Sequence, residues 1–442
     1  MLFLFQKNTP RELKDLRPIS ILPALSKILE YIVKDQIMNH LTINNILPVE
    51  QSGFREGHSC STALLNVTDH IFRATDSGLC SILVLLDYSK AFDTISHDIL
   101  ENILMFAGFD ISAVQFISNY LVGGQQRVVL KNDISNYINT NCGVPQGSVL
   151  GSTLFSLYTS SFPNFLKHCK IQMYADDTQL FYSFHPNDIQ NSCIIINSEL
   201  ETLRRISLEH SLRLNPTKCV TMLFASRVKY AQLLPEVNIT VDNVQLEVKN
   251  EVKVLGLTID SDLRFNKHIS NCVKKSIINL KILYKSRHIL SEKLKILLCQ
   301  SLVLSVFNYG DTVYGPCLAQ AISQRIQKIQ NYCLRFIYGI RKRNRVRHKL
   351  MNTKWLDMKN IRLHHSATLF KTIILNKSPQ YLYNKIRFRT DHNLNTRFKG
   401  NLTPPSHKTA TFERWFSYNM PTIYNALPLP QIAVCQLFQK NI

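Results

Sequence analysis

The first strong pattern along the chain is helical. In ALSKILEYIVKDQIMNHL (24–41), Leu25, Ile28, Leu29, Ile32 and Val33 recur at three- and four-residue intervals, which predicts a helix with that apolar set on one face. A Gly-containing connector, QSGFREGHSCS, leads into a second helix over 61–75. SILVLLD (81–87) is a continuous apolar run of strand length, the mark of a buried strand. A helix through DILENILMFAG, a strand over QQRVVL (125–130) and a buried helix over SVLGSTLFSLYTS (148–160) follow. In IQMYADDTQLFYS (171–183) polar and apolar positions alternate on both sides of Ala-Asp-Asp, the period-2 pattern of a hairpin with those residues at its tip. Next come a helix near 193–212, a strand at 219–226 and a small β element in VNITVDNVQLEV and EVKVLGLTID. After about residue 265 the texture is helical, through NCVKKSIINLKILYKS, SEKLKILLCQSLVLSVFNYG and 320–340. RKRNRVRHK (341–349) is a basic, loop-like boundary, and the remainder is mixed and punctuated by proline. A β-rich centre followed by a helical module predicts an α+β fold.

Charge sharpens this division. The formal net charge is +21, but residues 1–260 carry 21 Lys+Arg against 25 Asp+Glu, a balance of −4. Residues 261–442 carry the other 31 Lys+Arg against 6 Asp+Glu, a balance of +25. A near-neutral module joined to a strongly basic one predicts contact with a polyanion. No basic amphipathic stretch stands out as an anchor for a membrane surface. The eleven cysteines never lie closer than the sixteen positions between Cys317 and Cys333, so no zinc knuckle is expected and reduced intracellular thiols are. The apolar start, MLFLF, is too short for a signal-peptide core, and no run approaches the roughly 18 apolar residues of a membrane span. The expected location is the nucleus or cytoplasm.

The chemistry is concentrated in YADD. Asp176 and Asp177 are adjacent like charges at one turn, and each raises the cost of ionising the other. Aspartate is a good turn residue, which is one reading. The other is a divalent-cation site, because a metal turns that repulsion into attraction. Asp87, at the end of the buried strand, is either a turn or capping aspartate or a third ligand. Between them GVPQGSVLGSTLF makes a Gly-punctuated turn before a helix, backbone able to approach a base and sugar closely.

Seven segments occur in order: KNTPRELKDLRPISILPALSKILE, QSGFREGHSCSTAL, LLDYSKAFDTISHDIL, GVPQGSVLGSTLF, YADDTQLF, LNPTKC and VKVLGLTID. Together they resemble the successive motifs of reverse transcriptases of non-LTR retrotransposons, LINE elements of the jockey type. The resemblance spans nearly residues 7–270, and RFIYG and FSYNMPTIYNALP are similar to the C-terminal region of the same elements. It implies a right-hand polymerase, with fingers over 1–80, a palm over 81–262, a helical thumb over 263–340 and a basic C-terminal region over 341–442. It implies RNA-directed DNA synthesis, with an RNA template, a DNA primer, deoxynucleoside triphosphates and two Mg²⁺ ions, Mn²⁺ being a substitute. In that scheme one ion activates the primer 3′-OH and the other holds the triphosphate.

Residue by residue, the resemblance makes Asp87, Asp176 and Asp177 the metal-binding triad, with the Tyr88 carbonyl as an extra ligand. Phe92 matches an aromatic gate against the ribose 2′-OH, a packed core Phe being the alternative. Gln146 and Gly147 match the loop shaping the nucleotide pocket, and Lys7 and Arg11 match cations holding the triphosphate. Lys218 matches a residue that protonates pyrophosphate, an exposed turn lysine being the alternative. Leu255 and Gly256 match a grip on the primer end, and Arg55 reads as a template-phosphate contact or a solvated side chain. Arg341, Lys342 and Arg343 read as phosphate contacts, a solvated loop or a nuclear-localisation signal. Such elements carry an endonuclease upstream, whereas Met1 here falls inside the first finger motif; a shortened chain, with nucleotide binding and autonomous transposition weakened, is therefore expected. A viral-type RNA polymerase is disfavoured by Phe92 and by YADD in place of Gly-Asp-Asp. A catalytically silent RNA-binding protein derived from such an element is the alternative from another class.

Overall fold

The computed structural model describes residues 2–6, 16–20, 22–127, 129–130, 133–389, 401–409 and 412–426. The chain divides into two compact units. The first comprises Met1–His58, Ile82–Thr221 and Leu233–Val248, and the second Ser59–Ser81, Met222–Gln232 and Lys249–Ile442. The fold is α+β, as the pattern predicts.

The first unit opens on an antiparallel pair, β1 (Leu2–Gln6) and β2 (Leu16–Ser20), followed by helix α1 (Ala24–Ile43). Its centre is a five-stranded sheet built from β3 (Cys80–Leu86), β4 (Lys170–Tyr174), β5 (Asp177–Phe184), β6 (Val220–Phe224) and β7 (Glu247–Val248), ordered β7-β6-β3-β5-β4. β3 occupies the middle, which is why its sequence is apolar at consecutive rather than alternate positions. β4 and β5 form an antiparallel hairpin, and β6 runs parallel to β7. Helix α5 (Val149–Tyr158) is buried nearly all round, as its composition predicts; α3 (His97–Phe106), α4 (Ile111–Leu121) and α6 (Ile189–Glu209) complete the unit. QQRVVL does not form one strand: Gln125–Gln126 pairs with Ile138–Asn139, and Val129–Leu130 with Asp133–Ile134, in two short ribbons.

Helix α1 forms where periodicity places it but turns the other way. Leu25 is 80% exposed and Ile28, Leu29 and Ile32 each more than half exposed, while Glu30, Ile37 and Leu41 are buried. The reason is electrostatic. The N-terminus of α5 leaves backbone N–H groups without helical partners, and the Glu30 carboxylate accepts from Val149 N at 2.6 Å and Leu150 N at 3.2 Å. Tyr120 donates its hydroxyl to the second oxygen at 3.1 Å. Ser148 caps the same helix end by accepting from Gly151 N. A charged residue thus decides which face of α1 is inside.

The second unit contains the hairpin β8 (Glu251–Val254) and β9 (Leu257–Asp260) and helices α7 (Asn266–Lys285), α8 (Glu292–Leu298), α9 (Gln320–Tyr338), α10 (Met358–Asn376) and α11 (Phe416–Ala426). Helix α2 (Cys60–Asp76) belongs to this unit too, far from the rest in sequence. Its Asp69 is fully buried, 2.9 Å from the Lys385 ammonium and 3.6 Å from the Arg73 guanidinium, and accepts from Ser417 N at 3.0 Å. Asp76, one helical end away, accepts from Lys408 N and Thr409 N. Burial alone would raise the Asp69 pKa; Lys385, Ser417 and Arg73 outweigh it and hold the carboxyl below its ordinary range. Its contribution to stability is therefore complete above the unfolded pKa of about 3.9 and is lost as pH falls through the depressed folded value. Lys385→Met strands the buried carboxylate and is expected to lower unfolding free energy by about 3–5 kcal/mol, read as a shift in denaturant midpoint. A variant as stable as wild type would contradict this account of the ion pair.

Candidate active site

The catalytic candidates in the first unit are set by two strand ends and three turns. Asp87 directly follows β3, and Asp177 is the first residue of the adjacent strand β5. Tyr174 pairs with Asp177, so the hairpin loop is only Ala175-Asp176. Ala175 closes it at φ +57°, a left-handed conformation that costs a residue with a Cβ roughly 1–2 kcal/mol. Asp176 is half-buried and Asp177 exposed.

Backbone bonds fix the direction of Asp87. Its carbonyl accepts from Asn215 N at 2.8 Å, and Ser89 N donates to Arg213 O at 2.8 Å, forming an antiparallel bridge between Tyr88 and Leu214. Successive carbonyls of an extended strand point to opposite sides, so the Tyr88 carbonyl faces away from that bridge. The Tyr88 ring is buried, with its hydroxyl 3.1 Å from Ser207 Oγ, and burial pushes its pKa up. The turn LNPTKC carries Lys218: Asn215 O accepts from both Lys218 N and Cys219 N. Lys218 Nζ stands 3.4 Å from Asp87 Oδ2. That oxygen is buried and accepts no hydrogen bond from the described residues.

The donor set suits a hard divalent cation, being carboxylate and carbonyl oxygen throughout, with Asp87 Oδ2 left short of a hydrogen bond. Among the described residues no three His, Cys, Asp or Glu side chains close into a ready cluster, and Lys218 supplies the positive charge beside Asp87.

The loop GVPQGS docks against the segment after Asp87. Val144 N donates to Phe92 O at 2.8 Å and Gly143 N to Ile95 O at 2.7 Å. Gly143 has φ +86°, and a Cβ there would lie 2.8 Å from the Asp93 carbonyl, so both conformation and space require glycine. Gln146 donates its side-chain amide to Asp93 Oδ1 at 3.0 Å, and its carbonyl accepts from Ser20 N at 2.7 Å. Gly147 follows at φ +97°. Phe92 is half-buried and stacks on Phe155 with centroids 4.5 Å apart. Arg55 donates to the Pro48 carbonyl at 2.8 Å, within its own loop.

The remaining candidates lie in the second unit or outside the description. Leu255 and Gly256, at φ +44° and +86°, form the two-residue turn between β8 and β9. Tyr309 donates its hydroxyl to the Leu255 carbonyl at 2.6 Å, and a Cβ on Gly256 would lie 2.7 Å from its ring. Arg341, Lys342 and Arg343 are exposed in a loop whose Asn344 carbonyl accepts from Arg335 at 3.4 Å. Lys7 and Arg11 lie outside the described residues. Reading the sequence missed Gln51, Asp93, Asn215 and Tyr309, the side chains and turns that hold the others. The seven motif segments contain three of them; Tyr309 carries no motif signal.

Residues 5–259 match the family model described as reverse transcriptase (RNA-dependent DNA polymerase). The chain belongs to the reverse transcriptase family. It is 28% identical over 348 residues to the probable RNA-directed DNA polymerase from transposon BS of Drosophila melanogaster, covering 76% of this chain and 38% of that protein. It is 26% identical over 344 residues to the RNA-directed DNA polymerase from mobile element jockey of the same organism, covering 75% and 36%. The chain thus spans well under half the length of these relatives. Among solved structures, apo telomerase from Candida tropicalis aligns with TM-score 0.44 and 11% identity, over 86% of this chain and 69% of that one. Reverse transcriptases use divalent metal ions, as the family membership of this chain implies.

Proposed function

We propose that this reverse transcriptase chain is an RNA-directed DNA polymerase that copies retroelement RNA from a primer 3′-OH. The observation that carries this is the placement of Asp87 and Asp177 at the ends of adjacent strands, with Asp176 in the two-residue loop beside Asp177, in a chain whose residues 5–259 match the family. Asp87, Asp176, Asp177 and the Tyr88 carbonyl would hold two Mg²⁺ ions. Bound there, the ions would acidify the primer hydroxyl and neutralise the leaving pyrophosphate. Lys218 gives a proton to that leaving group, a reading supported by its ammonium lying 3.4 Å from Asp87 Oδ2. Leu255 and Gly256 grip the primer end, and the basic residues after 261 track template–primer phosphates. The test is extension of a DNA primer on an RNA template by purified protein, with Mg²⁺, with Mn²⁺ and with chelator; extension that survives chelation would refute the reading.

Sugar choice falls to Phe92, whose half-buried ring is stacked on Phe155 and whose carbonyl holds the GVPQGS loop. Phe92→Val opens room for a 2′-hydroxyl while leaving that carbonyl in place. The ratio of ribonucleotide to deoxynucleotide incorporation is expected to rise roughly 10- to 100-fold, the range that modest pocket changes command. An unchanged ratio would assign Phe92 to core packing alone.

A further inference from the structure

The YADD hairpin is held from behind by a segment remote in sequence. Residues 50–52 run alongside β4 like a short added strand: Met173 N donates to Glu50 O and Ser52 N to Met173 O, each at 2.9 Å. The Gln172 side chain extends the seam, donating to Glu50 O at 2.7 Å and to Ser52 Oγ at 2.9 Å. At its end stands Gln51, fully buried. Its Oε1 accepts from Gly53 N at 2.9 Å and from Ala175 N at 3.2 Å. The second bond reaches the left-handed residue of the two-residue loop, next to Asp176. Gly53 lies so close that a Cβ there would fall well inside van der Waals distance of the Ala175 nitrogen. Ser156 of α5 steadies the same segment by donating to Gly53 O at 3.4 Å.

From this geometry we infer that Gln51 is a positioning residue for cation binding, its amide oxygen fixing the Ala175 N–H and with it the direction of the Asp176 carboxylate. The inference rests on the reading of Asp176 and Asp177 as metal ligands. A turn of two residues has few bonds of its own, and a left-handed alanine favours release into other conformations. Ligand-orienting partners of this kind are worth about 10- to 100-fold in metal affinity. Among the described residues the Gln51 side-chain nitrogen has no hydrogen-bond partner, and the contact to the hairpin runs through the oxygen.

The experiment is titration of Mn²⁺ into the purified full chain, with free Mn²⁺ read by electron paramagnetic resonance, which needs no polymerase turnover. Gln51→Met preserves length and removes the acceptor; it is expected to weaken Mn²⁺ binding by about 10- to 100-fold. Gln51→Glu keeps an acceptor oxygen and is expected to stay within a few-fold of wild type. Equal weakening in both variants, or none in Gln51→Met, overturns the inference. A wild type that binds no Mn²⁺ overturns the metal reading itself. Because Gln51→Met is a buried substitution that can unfold the unit, hydrogen exchange of the Ala175 amide in wild type provides a second measurement. Strong protection is expected, and exchange at the rate of an open turn would overturn the assignment.

Discussion

Asp176→Asn is expected to reduce primer extension by roughly a thousandfold or more while leaving the chain folded. A bound metal's stabilisation of developing charge amounts to several kcal/mol, and each 1.4 kcal/mol is a factor of ten in rate. Replacing one carboxylate oxygen with an amide nitrogen removes a unit of ligand charge and a hard donor. The fold tolerates the change because Asp176 sits half-buried in a surface loop, where asparagine is as good a turn former. The informative comparison is single-nucleotide extension by wild type and variant at saturating Mg²⁺, with template–primer binding measured in parallel. Equal extension by the two proteins would refute the assignment of Asp176. Binding without extension in both would instead favour the silent RNA-binding reading, in which only the basic half of the chain works.

The elements around this site were legible because their chemistry is local. The run SILVLL announces a strand covered on both faces, and the alternation about Ala-Asp-Asp announces a hairpin; both form. The long-range choices were not legible in the same way. Glu30 turns α1 inside out relative to its apolar stripe, because two backbone N–H groups more than a hundred residues away need an acceptor. Periodicity measures where carbon is and is blind to such a need. Asp69 likewise draws α2 into the unit formed by the C-terminal half, through Lys385 and the Ser417 backbone. The helical pattern of SEKLKILLCQSLVLSVFNYG is real, but Cys299–Leu304 is wound as a π-helix and Ser305–Phe307 as a 3₁₀ turn, a change of winding that residue spacing does not encode. Within the site, the charged and aromatic residues could be read from the motifs. Their supports act across the chain, Gln51 through its amide oxygen on the Ala175 N–H and Asn215 through its own N–H on the Asp87 carbonyl, and only folding identifies the partner.

The basic half of the chain is expected to bind a template–primer duplex with strong salt dependence and little preference for base sequence. Residues 261–442 carry 31 Lys+Arg against 6 Asp+Glu, and a balance of +25 exceeds what solubility alone requires. Each neutralised phosphate releases counterions, so log affinity should fall with log salt at about −0.9 per phosphate. With roughly five to eight phosphates engaged, affinity drops on the order of a thousandfold or more between about 50 and 200 mM salt. The loop 341–347 presents its cations outward: Arg341, Lys342, Arg343, Arg345 and Arg347 are exposed, while Val346 is buried and tethers the segment. Neutralising these five together should flatten the slope by about 0.9 for each phosphate that is no longer neutralised, with no effect on base preference, because cations on phosphate position a duplex without reading it. The measurement is binding of one duplex across a salt series for wild type and the fivefold variant. An unchanged slope would assign the loop to solvent or to a transport signal. A wild-type slope near zero would remove the nucleic-acid role from the whole basic half, because a surface of this charge cannot displace counterions and leave affinity indifferent to salt.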